Sequence, residues 1–150
     1  MKNLLTLFFL FVSFHLGISQ GDKGPDVYTP PIQSGAVLPP SNDVCMDAIP
    51  ATVPSMVSGT TVDANVDATP FCGTASTSPG VWYSIEGTGN MVTIDLCGAI
   101  FDSKLSIYDG TCGALNCIIG EDDDFVNCGG NDPSVDFVPN ALYFHPVCLL

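Results

Sequence analysis

Arginine is absent from this 150-residue chain, and only Lys2, Lys23 and Lys104 carry a basic side chain. Neutralising a phosphate backbone needs clustered Lys and Arg, so nucleic-acid binding is excluded. Histidine is nearly as scarce, with His15 and His145 alone. A zinc centre therefore has few nitrogen donors, and no pair of CxxC hooks stands in for them. Nucleophilic hydrolysis needs a base within hydrogen-bond reach of a hydroxyl or thiol. His145 is the sole histidine beyond the N-terminal region, it reads as an edge or surface residue, and no GxSxG elbow is present. Paired acids could cleave glycosides only across a substrate cleft, of which the sequence gives no sign. The chain reads as non-enzymatic. A sustained 3.6-residue apolar stripe is also missing, which predicts that helices are scarce.

Long apolar runs are confined to the start. Lys2 precedes a stretch from Leu4 to Leu16 broken only by Thr6, Ser13 and His15, and the small residues Gly17 and Ser19 follow. This is the pattern of a signal peptide, residues 1–19, with cleavage after Ser19. The competing reading is a retained N-terminal anchor. The run is short of the about 20 residues that span a bilayer, and no basic flank follows it. The expectation is a secreted or cell-surface protein with no membrane span after cleavage. Residues 20–42 hold Pro25, Pro30, Pro31, Pro39 and Pro40 among Gly, Asp and Ser, a composition that favours an extended linker. Residues 43–150 then suffice for one domain.

The exported chain sets Lys23 and Lys104 against 16 carboxylates, a formal charge of −14. Fourteen of the acids are Asp and two are Glu, a bias that suits loops, because Asp bonds nearby backbone amides. All seven cysteines lie beyond the signal, where an oxidising compartment lets them pair. Cys112 and Cys117 flank a Gly-Ala-Leu-Asn tip and could close a hairpin; Cys72 with Cys97 is a second candidate pair. Six cysteines allow 15 pairings, so the rest stay open. The odd count leaves one thiol for an intermolecular bond, or implies that part of the domain is missing.

Val92, Ile94 and Leu96 alternate with polar residues, as do Leu105 and Ile107. A period of two indicates strands with one buried face. Val81 to Ile85 and Met56 to Val62 add further strands. Turn signals stand at Gly87 to Asn90, Asp109-Gly110, Gly120 with the acids after it, and Gly129 to Pro133. Many short strands at this spacing imply a sandwich or barrel. Trp82 and Tyr83 are neighbours on a strand and must face opposite sides of a sheet, at least one of them filling the core.

Several of these segments occur together in a familiar order: Asn42 to Pro50, Pro70 to Thr74, Pro79 to Ser84, Phe101 to Tyr108, and the Cys112 to Cys117 hairpin. Across roughly Asp43 to Phe137 the chain resembles the bacterial pre-peptidase C-terminal domain family. The resemblance implies an all-β fold, an antiparallel jelly-roll-like β-sandwich, borne as a non-catalytic appendage on secreted proteases and adhesins. Related collagen-binding modules of clostridial collagenases bind calcium and substrate. The chain departs from the family after Val138, where a Gly-Thr-Tyr-Tyr type strand and further closing strands are expected. Pro146 suits a central strand poorly because it lacks a donor amide. The sandwich is thus expected to be incomplete, its closing strands shortened or missing, or else closed by a shortened strand from this tail.

The run Glu121 to Asp124 after Gly120 is the best candidate for chemistry. Hard oxygen donors in a glycine-flanked loop suit calcium, and Asp122, Asp123 and Asp124 are the proposed ligands, with Asp102 and Asp109, from the two ends of one strand, completing the shell. No D-x-D-x-D-G loop is present, and the competing reading is a solvated acidic turn. Two functions follow from the sequence. The leading one is a secreted accessory or binding module, engaging an extracellular protein or polysaccharide or assisting maturation of a protease-like neighbour. The other is a truncated piece of a larger protease or adhesin with no activity of its own.

Overall fold

The computed structural model describes residues 37–141 and 144–150. The expected signal peptide, residues 1–19, and residues 20–36 of the expected linker lie outside the described residues. Seven strands occur among the described residues: β1 Ile49–Ala51, β2 Val81–Glu86, β3 Val92–Asp95, β4 Leu105–Thr111, β5 Ala114–Glu121, β6 Ser134–Phe137 and β7 Phe144–Leu149. The only helical turn among them is the 3-10 segment Cys45–Asp47. The strands form a five-stranded sheet of order β1-β2-β7-β4-β5 and a two-stranded sheet β3-β6, an all-β sandwich as expected. Pairing is antiparallel except between β1 and β2, which run parallel.

Both faces of the large sheet are buried along its central strands β2, β7 and the first half of β4, for a reason written in β2. Its burial alternates into two separate layers: Val81, Tyr83 and Ile85 join Leu105, Ile107, Val147, Val92, Val135 and Phe137 between the sheets. Trp82 points the other way and packs with Tyr108, Cys148, Cys72 and Leu150. The opposite facing of Trp82 and Tyr83 is therefore observed, and each fills its own core layer. Loops rather than strands cover the Trp82 face. Asn42 Nδ2 donates to the Trp82 carbonyl at 2.8 Å, and the Trp82 amide donates back to the Asn42 carbonyl at 2.8 Å. Trp82 Nε1 donates to Asp67 Oδ2 at 2.6 Å, and Tyr108 donates to the Pro70 carbonyl at 3.2 Å. Asn42, placed in the linker on composition, is in fact buried in the domain.

The doubtful tail supplies β7, which sits between β2 and β4 in the middle of the large sheet. Pro146 is accommodated by the phase of the ladder. Lys104 and Leu150 exchange both backbone bonds at 2.9 Å, and alternate residues of an antiparallel strand bond to the same neighbour. Cys148 and Pro146 hence turn their amide positions toward β4. The β4–β7 ladder ends at Ile107↔Val147, one residue before a donor at Pro146 would be needed. On the β2 side, where Pro146 owes no donor, pairing runs without interruption from Leu149 to Phe144.

Four sequence expectations are corrected. Met56 to Val62 is not a strand: Met56, Val57 and Val62 are all exposed, so their alternation has no buried face to serve. Asp109-Gly110 is not a turn but part of β4, whose hairpin ladder continues to Thr111↔Ala114; the reversal is the two-residue Cys112-Gly113 link. Gly120 likewise lies inside β5, where a Cβ would overlap the Cys72 carbonyl oxygen, so its glycine serves close backbone approach. His145 is neither an edge nor a surface residue: it is buried in the central strand β7, opposite Ile85.

The disulfides also differ from the expected pairs. Cys45 bonds Cys112, Cys72 bonds Cys117, and Cys97 bonds Cys128. Cys112 lies in the turn, while Cys117 stands opposite Tyr108 along β5. At 3.3 Å per residue they are roughly 10 Å apart, beyond disulfide reach of about 7 Å. Cys72 packs in the Trp82 layer and Cys97 follows β3 of the small sheet, so the large sheet separates that pair. Cys148 is the free thiol, fully buried, and so is not placed to make the expected intermolecular bond in the folded state.

Candidate metal centre

The register of the β4–β5 hairpin assembles the acidic site. Leu105 pairs with Glu121 at its open end, so the next residues outward, Lys104 and Asp122, face one another, and Asp102 meets Asp123 beyond them. Carboxylate oxygens of Asp102, Asp122 and Asp123 all lie within 4.8 Å of one another, with Asp102 and Asp123 exposed and Asp122 half-buried. A third chain segment reaches the same point. Gly73 takes φ +72°, and its Cβ position is occupied by the Gly120 carbonyl. This contact, pinned by Cys72–Cys117, lets Thr74 Oγ1 donate to Asp122 Oδ2 at 3.3 Å.

Lys104 Nζ sits 2.7 Å from Asp122 Oδ2 and 3.3 Å from Thr74 Oγ1. One ammonium against three carboxylates leaves two negative charges in excess at the surface. Such a group could hold a metal ion, and its all-oxygen donor set selects a hard cation over a thiophilic one. Calcium's further ligands would come from water and backbone carbonyls, both accessible at an exposed loop. Lys104 would compete with the ion for Asp122.

Two of the five sequence-named acids lie elsewhere. Asp124 is committed to its own turn: Oδ1 accepts from the amides of Val126 and Asn127, both at 2.9 Å, and Oδ2 accepts from Asn127 Nδ2 at 2.6 Å. The bonds from Asn127, first its backbone amide and then its side chain, with that from Val126, hold the Asp124 carboxyl below its ordinary value. Asp109 is at the far end of β4, roughly 20 Å from Asp102 at strand rise, with Oδ1 buried and unpartnered. Lys104 and Thr74 were not anticipated. Lys104 was not legible from the turn either: a reversal at Cys112-Gly113 alone would set it opposite Glu121, and the register shift between Ile107 and Tyr108, where Ile118 has no partner on β4, is what brings Asp122 there. Thr74 had no signal, because only the tertiary approach of Gly73 to Gly120 brings it there.

His145 Nε2 lies 3.4 Å from the Asn140 carbonyl oxygen, and the ring meets Phe137 edge-on at 5.9 Å. Among the described residues no hydrogen bond joins it to a serine, threonine or cysteine. Three disulfides are the mark of a chain folded in an oxidising environment, and among the described residues no helix is long and apolar enough to cross a membrane. No family profile, curated protein or solved structure matches this chain.

Proposed function

We propose that this chain is an exported, non-catalytic binding or accessory module of an extracellular or cell-surface protein, engaging a protein or polysaccharide and stabilised by calcium at Asp102, Asp122 and Asp123. The observation that carries the reading is the convergence of those three carboxylates at the open end of a disulfide-pinned hairpin. An ion there would tie the entry of β4 to the exit of β5. The signal-like N-terminus, the three disulfides and the resemblance to the pre-peptidase C-terminal domain family support the same reading. With Lys104 competing, the affinity belongs in the weak range of extracellular calcium modules, about 10⁻⁴–10⁻³ M.

Thermal unfolding of the oxidised chain from residue 20 onward tests this. A ligand that binds only the folded state raises the midpoint, and calcium at ten times such a dissociation constant should raise it by about 5 °C for a domain of this size. Asp102→Asn with Asp123→Asn should remove the shift, and Lys104→Gln should enlarge it by freeing Asp122. A midpoint equal in chelator and in calcium, or a shift that survives the double substitution, would sink the calcium site.

A further inference from the structure

The small sheet has one edge that no strand of the described residues covers, and it opens on an apolar cleft. β3 pairs with β6 alone. Leu96 donates to the Pro133 carbonyl at 3.0 Å, one step beyond the Asp95↔Ser134 pair. Backbone groups of alternate residues face the same neighbour in an antiparallel ladder, so Val92 and Ile94 turn theirs toward β6. The amides and carbonyls of Thr93 and Asp95 therefore point away from β6. A cleft of about 450 Å³ is lined by the consecutive run 91–96, by the consecutive run 51–57, and by Tyr83, Ile85, Val147 and Leu149 of the large sheet. Uninterrupted lining by a whole strand places its backbone edge, and not one face only, along the cleft. Met56 and Met91 at its mouth are largely exposed, and methionine adapts its shape to what it packs against.

We propose that this edge takes up an extended peptide segment of a partner protein, alternating basic and apolar residues, which adds as a strand beside β3. The proposal deepens the binding-module reading above and rests on it. Main-chain bonds to Thr93 and Asp95 supply pairing, and alternate side chains of the incoming strand enter the apolar cleft. The charge of the site selects the others. Thr93 and Asp95 are exposed on the outer face, Thr93 Oγ1 donates to Asp136 Oδ1 at 2.5 Å, and no Lys or Arg lines the cleft. Lysines on the outer face of the partner strand would stand beside Asp95 on β3, where opposite charges on neighbouring strands attract and like charges repel, and Asp136, one strand further on β6, adds to the negative field. The same acidity opposes a second copy of this chain, whose formal charge is −13.

The test uses a capped peptide of alternating lysine and valine, long enough to span β3, with a glutamate–valine peptide as control. Binding is read by calorimetry, and hydrogen exchange of the Thr93 and Asp95 amides by NMR. The lysine peptide should bind, slow exchange at both amides, weaken with salt, and exceed the glutamate peptide by on the order of tenfold or more. Thr93→Pro removes an amide that faces away from β6, a position where an edge strand tolerates proline; it should abolish binding while the unfolding midpoint holds. If that variant is unstable, a lysine peptide N-methylated along one edge replaces it and should fail to bind. Equal affinity for the glutamate peptide, or unslowed exchange at Thr93 and Asp95, overturns the proposal. So does concentration-dependent dimerisation that Thr93→Pro removes, or protection of the two amides in the free chain that is lost on deleting residues 20–36. Calcium-induced stabilisation is recorded on the same samples: if it persists while the peptide fails, the edge proposal falls alone.

Discussion

Cys148 shows how burial decides the chemistry of a single side chain. It is clustered with Trp82, Tyr108, Leu150 and Cys72, and desolvation, with a smaller contribution from the Asp67 charge, pushes its thiol from 9.0 up to about 12. The thiolate is the nucleophile, so this cysteine is inert in the folded chain. A thiol reagent at mildly alkaline pH should leave native protein unmodified and label one site per chain after unfolding in guanidinium; prompt labelling of the native protein would refute the buried placement. The linkage has a definite sign. Below 9.0 both folded and unfolded chains keep the proton, and between 9.0 and about 12 only the folded chain does. The unfolded state then binds fewer protons, and stability falls as pH rises through that window. Cys148→Ala should flatten this alkaline limb of a midpoint-against-pH curve, even if it lowers stability throughout.

At the level of elements, the close approach of residues 72–74 to β5 organises both the Trp82 layer and the acidic site. Gly120 permits it, because any Cβ there would overlap the Cys72 carbonyl. Gly120→Ala should destabilise the domain by about 1–3 kcal/mol through forced backbone displacement, seen as a lowered midpoint in denaturant. It should also weaken the calcium response, since Thr74 and Asp122 separate as the segment moves. A variant with unchanged stability would show that the approach is looser than described. β7 carries the complementary lesson. Pro146 argues against a central strand when judged alone, yet its missing donor falls on the side where the β4 ladder has ended. Which edge of a strand a residue serves depends on the phase of its neighbours, and that phase is invisible in a linear pattern.

Across the whole molecule, three disulfides join segments distant in the chain: Cys72–Cys117 ties a loop to β5, while Cys45–Cys112 and Cys97–Cys128 join residues outside the strands. Their sequence separations are 67 for Cys45–Cys112, 45 for Cys72–Cys117 and 31 for Cys97–Cys128. Removing any one pair by double alanine substitution should cost about 2–4 kcal/mol. Chain entropy alone makes the loss of Cys45–Cys112 exceed that of Cys97–Cys128 by about 0.7 kcal/mol. Chemical denaturation of the three variants gives the order directly, and a reversed order would show that native contacts outweigh loop closure. Strand content, the inward facing of Leu105 and Ile107, and the opposite facing of Trp82 and Tyr83 were readable from the chain, because period-two patterning is local; the burial of Ser106 and Tyr108 on the other face was not, because it depends on the loops that cover that face. The acidic run was readable as well, as a concentration of hard oxygen donors. What tertiary structure alone decided was partnership. It chose Asp102 over Asp109 and excluded Asp124, matched Cys72 with Cys117, set Lys104 and Thr74 beside Asp122, and placed the tail at the centre of the large sheet. Each of these depends on hairpin register, or on which loop covers which face. Such pairings join residues distant in sequence, and no local periodicity encodes them.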